Sequence, residues 1–195
     1  KPVSLSLVLN EIAWMGKVGD AQAEWIEVFN PLNTAVDVQG FQVLDATGDI
    51  QIVFPAKTKI PGQGFYLLER GDDNSVSGVS ADQIYSGTLR NTEESLRIFN
   101  SDCELLDEAV ARPNWPAGNN STKQTMKRNS GGLWQTSILP HGTPRVHNSE
   151  AVEAKKLDEE SENQKNLESE ENNELNVTQK INESQKIPDS EPNPQ

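Results

Sequence analysis

One stretch of the chain decides the fold: Glu24-Trp25-Ile26-Glu27-Val28-Phe29. Its side chains alternate with a period of two, so Ile26 and Val28 lie on one face of a predicted strand and Glu27 lies on the other face with the aromatic residues. Asn30-Pro31 follows directly, and this turn-forming pair ends the strand. The stretch therefore predicts a β-strand with one apolar face and one mixed face.

The same period recurs on both sides of this strand, and Gly, Pro, Asn and Asp separate the segments at intervals of roughly ten residues. Further strands are predicted over residues 7–14, 41–44, 50–54, 65–69, 83–85, 96–99, 104–107 and 123–128. Two prolines and a glycine predict a loop over residues 112–120. Residues 1–148 contain no amphipathic helical pattern of ten residues, so the predicted fold class is all-β, a sandwich or barrel of short strands.

The composition changes near residue 148. All 11 aromatic residues precede that point, and residues 149–195 contain 13 acidic residues and 5 lysines, which is −8 of the net charge of −13. Such a segment has too little apolar surface to offset the entropy of ordering it. We therefore predict one domain over residues 1–148 and an acidic, low-complexity tail or linker over 149–195, disordered or partly helical.

Charge and composition also limit the partners. An acidic chain without a dense lysine and arginine cluster disfavours nucleic acid, since cation–phosphate contacts supply most non-specific affinity. No apolar run approaches the roughly 20 residues of a transmembrane helix, so membrane insertion is not expected. Cys103 is the only cysteine, which excludes an internal disulfide and leaves the compartment open.

Four stretches resemble bacterial lamin-tail domains (LTD). They are Asn10-Glu11-Ile12-Ala13-Trp14-Met15-Gly16 with residues 24–30, the segment Ile60-Pro61-Gly62-Gln63-Gly64-Phe65-Tyr66-Leu67-Leu68-Glu69-Arg70, Trp115-Pro116-Ala117-Gly118-Asn119-Asn120, and Gly142-Thr143-Pro144. They occur in the family's order and span nearly all of residues 1–148. The resemblance implies an immunoglobulin-like β-sandwich on a secreted or surface bacterial protein. It transfers no ligand and no catalytic residue.

Two functions follow from this resemblance. The first is a non-catalytic interaction or tethering module, located outside a bacterial cell or in its envelope, with a protein or cell-envelope glycan as its partner. The alternative is an accessory domain of a secreted hydrolase or nuclease whose catalytic domain is not in this chain. The chain starts at Lys1 and shows no signal peptide of its own. Neither function makes residues 1–195 an enzyme.

Candidate catalytic groups are sparse. His141 and His147 are the only histidines, and no Gly-x-Ser-x-Gly elbow or nearby cysteine accompanies them, which disfavours nucleophilic and zinc sites. Glu11 and Glu27 can approach one another on neighbouring strands. An acid/base pair is one interpretation, and the other is that Glu11 and Asn10 satisfy backbone donors or pair with an arginine at the edge of the sandwich.

Two binding hypotheses remain. Asp72, Asp73 and Asn74 lie in a polar loop and supply oxygen ligands of the kind that Ca²⁺ prefers, although their spacing is not that of an EF-hand. Calcium is therefore the only cofactor considered. Trp14, Trp25 and Trp115 could form an exposed aromatic platform for a glycan or peptide; alternatively, these rings close the core.

Overall fold

The structure is a computed structural model, and the residues that it describes are 7–148, Lys155, Glu159, Ser161 and Lys165. Residues 7–148 form twelve β-strands and contain no helix, which confirms the all-β prediction. The chain divides into two compact units, residues 1–153 and 154–195. No helix in the described part of the chain is both long and apolar enough to cross a membrane.

The strands are short, as the punctuated sequence predicts. In chain order they are β1 (Val8–Ala13), β2 (Trp25–Phe29), β3 (Val36–Asp37), β4 (Gln42–Asp45), β5 (Gln51–Val53), β6 (Lys59–Ile60), β7 (Phe65–Arg70), β8 (Gln83–Tyr85), β9 (Thr92–Phe99), β10 (Leu105–Asn114), β11 (Gln124–Arg128) and β12 (Trp134–Pro140). A six-stranded sheet has the order β12-β11-β1-β2-β7-β8, a four-stranded sheet has the order β10-β9-β4-β5, and β3 pairs with β6.

Both large sheets contribute to a single hydrophobic core, as in a β-sandwich. Ile12 and Ile26 from the six-stranded sheet are fully buried, and so are Val43 and Ile98 from the four-stranded sheet. All strand pairs are antiparallel except β7 with β8. Because successive side chains of a strand point to opposite faces, burying Ile26 in the core turns Glu27 to the outer face of the sheet.

Two predictions of local structure are corrected. Part of the predicted loop over residues 112–120 belongs to β10, which continues to Asn114, opposite Thr92 of β9. Pro113 is tolerated there because β10 is an edge strand, where one missing ladder donor costs little. The sequence analysis also missed β12. Ser137 and Leu139 are the only buried residues of this strand, so the alternation of apolar and polar side chains along it is weak.

The second unit is described at four positions only. All four are helical, and Lys155 Nζ lies 3.9 Å from Glu159 Oε1, one helical turn away. The prediction of a disordered or partly helical tail over 149–195 otherwise lies outside the described residues.

Candidate functional site

Two glutamates face one another on the outer side of the six-stranded sheet. The register places Glu11 of β1 directly opposite Glu27 of β2, and both residues are completely buried. The predicted approach of these two carboxylates is therefore confirmed. A buried pair of like carboxylates is costly unless donors or protons compensate it.

Backbone N–H donors for both carboxylates come from residues 142–148, a segment that we call the strap. The backbone N–H of Thr143 donates to both carboxylate oxygens of Glu11, at 3.2 Å each, and the N–H of Arg145 donates to Glu27 Oε2. Asn10 Nδ2 donates to Glu27 Oε1 at 2.7 Å. The interpretation of Glu11 as a partner for backbone donors is confirmed, whereas the side chain of Asn10 contacts the side chains of Glu27 and Asn148 instead. The two glutamates fasten the strap to the sheet.

Side chains complete this network. The hydroxyls of Thr125 and Thr143 donate to Glu11, and Lys127 lowers its pKa by its positive charge. Burial nevertheless raises the pKa of Glu11 from 4.5 to about 7. Burial, with repulsion from Glu11, raises the pKa of Glu27 to about 8. The strap and the sheet bury both carboxylates completely, so a substrate cannot reach them in this structure. We therefore interpret the pair as a structural clasp, and the raised pKa values as a consequence of its burial.

The end of the strap forms one wall of an open cleft of about 590 Å³, which we call the strap cleft. Its lining residues come from β1, β2, β10, β11, the turn after β11 and the strap; they are Val8, Asn10, Phe29, Pro31, Asp107, Arg128, Asn129, Ser130, Gly131, Gly132, His147 and Asn148. Asn148 Nδ2 donates to the backbone and side-chain oxygens of Asn10 at 3.2 and 3.1 Å. The cleft wall is thus bonded to the same asparagine that holds Glu27.

Three rings pack together at this end of the sheet. Phe29 stacks on Phe65 of β7 with ring centroids 5.0 Å apart. His147 packs nearly perpendicular to Phe29, with centroids 5.4 Å apart, and also contacts Phe65 at 5.3 Å. Both phenylalanines are half-buried and His147 is exposed. Such a cluster provides a partly exposed apolar surface that is held in a fixed geometry.

An internal ion pair forms the opposite wall. Arg128 Nη2 donates to both carboxylate oxygens of Asp107, at 2.9 and 3.0 Å, and Nη1 donates to the carbonyl of Gly132 at 2.8 Å. The guanidinium also lies 3.9 Å from the ring centroid of Trp134. The positive charge of Arg128 is therefore compensated within the protein.

We expect Arg128→Lys to lower the free energy of unfolding by about 2 kcal/mol, because an ammonium reproduces neither the paired contact nor the stacking on Trp134. Urea unfolding of both proteins measures the difference. Arg97→Lys is the matched control, since its pair with Glu108 is at least one-third exposed at both side chains, and a change below about 0.5 kcal/mol is expected there. Equal losses in the two variants would contradict the proposed role of Arg128.

The predicted tryptophan platform is corrected by burial. Trp14, Trp25 and Trp115 are 9%, 2% and 6% exposed, so none presents an open ring to a ligand. Trp14 stacks on Trp115 with centroids 6.5 Å apart, and their indole N–H groups donate to backbone carbonyls of Ala117 and Arg90. The rings close the core because their apolar area is large and their polar edges find partners inside the protein.

The residues of the calcium hypothesis lie together in an exposed loop after β7. Asp72 accepts from the N–H of Asn74, Asp73 accepts from the N–H of Ala81, and the ammonium of Lys17 donates to the carbonyl of Asn74. The described residues include no group of three or more His, Cys, Asp or Glu side chains placed to hold a metal ion. The two aspartates thus accept hydrogen bonds from backbone N–H groups of their own loop and stabilise its conformation. Calcium binding stays a prediction.

A second cleft, of about 690 Å³, is lined in part by Trp14, and four of its thirteen lining residues are charged: Glu24, Arg70, Arg90 and Glu93. Glu24 pairs with Arg70 at 3.3 Å and accepts from the N–H of Leu89. This cleft thus has four charged lining residues, whereas the strap cleft has Asp107 and Arg128, which pair with each other. The strap cleft combines half-buried rings with neutral polar groups, which is more typical of a ligand site.

The sequence analysis missed the residues of the strap cleft. Phe29 was placed on the correct face of its strand, but nothing in the sequence paired it with Phe65, and His147 was considered only as a metal ligand or a catalytic base. One signal was present in the sequence. The outer face of β2 carries Trp25 and Phe29 beside Glu27, which is more apolar area than is usual on a solvent-exposed face. Such a face predicts that another segment of the chain packs over it.

No protein-family model matches this chain, and no curated protein matches it. The candidate site is therefore defined by geometry and chemistry alone. The resemblance to lamin-tail domains stays a prediction.

Proposed function

We propose that this chain is a non-catalytic interaction or tethering module of an exported or surface bacterial protein, built on an immunoglobulin-like domain of the lamin-tail type. The observation that carries this proposal is the strap cleft, whose lining combines the rings of Phe29 and His147 with neutral polar groups. Binding sites of small ligands and chain ends have this mixed composition. The partner is a protein or an envelope glycan.

The residues behind the family resemblance support this proposal. Asn10 and Glu11 from the first motif, and Glu27 from the second, fasten the strap that carries His147 and Asn148 into the cleft wall. The motifs thus preorganise the surface beside them. A preorganised site loses less conformational entropy when it binds a ligand.

The proposal is tested by blocking the cleft. Ser130 is exposed in the turn that lines it, so Ser130→Trp fills the cleft without altering a core position. We expect the labelled full chain to bind isolated bacterial cell envelopes saturably, and Ser130→Trp to weaken that binding at least tenfold.

Ser121→Trp, at an exposed loop position outside the cleft lining, is the matched control and should bind like the unmodified chain. Intact far-UV circular dichroism and an unchanged unfolding midpoint establish that each variant is folded. Equal envelope binding by all three proteins, or none by any, contradicts the proposal.

A further inference from the structure

We infer that the strap cleft binds an uncharged oligosaccharide, with a sugar ring held against Phe29 and His147 and its hydroxyls bonded to the turn of residues 129–132. This inference rests on the proposed function and specifies the chemical class of its partner. It concerns a site that is separate from the predicted tryptophan platform.

The first support is the charge balance of the cleft. Its two charged lining residues, Asp107 and Arg128, form an ion pair with each other, in which Arg128 Nη2 donates to both oxygens of Asp107. Arg128 further donates to carbonyls of Leu9 and Gly132, so little of its donor capacity is left for an anionic ligand. Apart from His147, the other lining residues are uncharged. A charged ligand would give up its hydration in the cleft without gaining an ion pair, whereas a neutral ligand does not require a partner of opposite charge.

The second support is the set of polar groups with spare hydrogen-bonding capacity. Asn129 Oδ1 accepts from the N–H groups of Gly131 and Leu133, which orients the amide and leaves its Nδ2 without a partner among the described residues. The Ser130 hydroxyl, at the next position, likewise has no partner in the described part of the chain. An amide donor oriented by the turn, beside a hydroxyl that is free to rotate, suits the adjacent hydroxyls of a pyranose.

The third support is the geometry of the rings. Phe29 and His147 both line the cleft, and their planes meet at 86°. Phe65 stacks behind Phe29 and fixes its position. A pyranose has one apolar side made of C–H groups, which packs on an aromatic surface while its equatorial hydroxyls reach polar neighbours. Rings on one wall and amide groups on the turn supply both kinds of contact.

A peptide fits these features less well. Strands β1, β2 and β11 carry much of the lining, and each is already paired on both sides, so none of them can accept an added strand. The edge strand β10 contributes only Asp107, whose carboxylate is paired with Arg128. Proline-rich peptides dock in grooves lined by several aromatic rings, whereas only Phe29 and His147 supply rings to this cleft, which contains no tyrosine or tryptophan. A peptide ligand is therefore the competing outcome of the test.

The test titrates the full chain with four neutral tetrasaccharides: cellotetraose, maltotetraose, mannotetraose and chitotetraose. Saturation-transfer NMR and isothermal titration measure binding; tetragalacturonic acid and a decaproline peptide are the comparison ligands. We expect at least one neutral tetrasaccharide to bind, and tetragalacturonic acid to bind at least tenfold more weakly than the best of them.

Two variants assign that binding to the cleft. Asn129→Asp keeps the oxygen that holds the turn and removes the Nδ2 donor, so the affinity should fall at least tenfold. His147→Ala removes one exposed ring and should weaken binding at least fivefold. Val18→Ala truncates an apolar side chain that is 73% exposed and lies outside the cleft, and it should leave the affinity unchanged.

The inference is overturned if no neutral tetrasaccharide binds at about 10 mM, which is roughly ten times a dissociation constant of 1 mM. It is also overturned if both cleft variants bind like Val18→Ala, or if only the peptide or the acidic sugar binds. Should Asn129→Asp fail to fold, His147→Ala and Ser130→Ala supply the comparison. Envelope binding that Ser130→Trp abolishes, together with no response to any tetrasaccharide, would reject the glycan and leave the proposed function standing. If the full chain binds neither cell envelopes nor any tetrasaccharide, the proposed function and this inference are both rejected.

Discussion

Gly142→Ala is expected to lower the free energy of unfolding by about 3 kcal/mol, which corresponds to a fall in the melting temperature of roughly 10 °C. A Cβ at residue 142 would lie 2.0 Å from Glu11 Oε1 and 2.5 Å from Thr125 Oγ1, inside the clasp that holds the strap. The backbone there has a φ of +69°, which is strained for alanine. Either the buried carboxylate moves or the strap does.

Gly78→Ala separates the two causes. Gly78 has nearly the same backbone conformation, with a φ of +72°, and an added Cβ there would meet nothing within 4 Å. This control should lose only the conformational part, about 1 kcal/mol. Urea unfolding of the three proteins at one pH measures both losses. Equal losses in the two variants would show that Glu11 does not constrain the strap.

Gly142→Ala also tests the link between the clasp and the cleft. Residues 147 and 148 line the cleft, and the strap that carries them is fastened at Thr143 and Arg145. A displaced strap should therefore weaken envelope binding in a protein that is still folded, whereas Gly78→Ala should not. Binding is measured at a temperature well below both unfolding transitions.

The second expected result concerns pH: the domain should be more stable at pH 5 than at pH 8. The pKa values of Glu11 and Glu27 are raised from 4.5 to about 7 and about 8 by burial, and for Glu27 also by repulsion from Glu11. Between pH 4.5 and about pH 8 the folded protein holds protons on these glutamates that the unfolded chain has released. Stability therefore falls as the pH rises through this window.

The expected size is on the order of 3 kcal/mol between pH 5 and pH 8, because one pKa unit corresponds to about 1.4 kcal/mol and the two coupled sites do not add. Burial raises the pKa of Glu24 to about 7 as well, with the same sign. Urea unfolding at half-unit steps from pH 5 to pH 8.5 measures the slope. A flat profile, or stability that rises with pH, would contradict the expectation.

Glu27→Gln assigns part of that slope. The variant removes one titrating group, so the difference between pH 5 and pH 8 should shrink by about half even if the absolute stability changes. Glu93→Gln replaces an exposed carboxylate and should keep the full slope. If Glu27→Gln and Glu93→Gln both retain it, the pH dependence arises elsewhere in the domain.

The strap gives the proposed function a physical basis. Two buried glutamates hold seven residues of chain against a sheet, and the end of that segment, with its ring and its amide, becomes part of a cleft. The clasp is completely buried. In the proposed function its role is to fix the cleft wall, because a preorganised wall lowers the entropy cost of binding.

Much of the architecture could be predicted from the sequence. Alternation with a period of two located β1, β2, β7 and β11 to within two residues, since an inward apolar face is required wherever a strand covers a core. The same alternation placed Glu27 on the face opposite Ile26. Strand β12 and the end of β10 were missed because they leave little hydrophobic pattern: β12 buries Ser137 and Leu139 only, and the last buried residue of β10 is Ala111.

Tertiary structure alone decided the site. The sequence put Glu11, Phe29 and His147 in three separate segments, and only the pairing of β1 with β2 and the return of the strap brought them to one place. Local pattern reports which face a side chain takes because alternation is a property of one strand. It carries no information on which distant segment covers that face, since that choice depends on the packing of the whole chain.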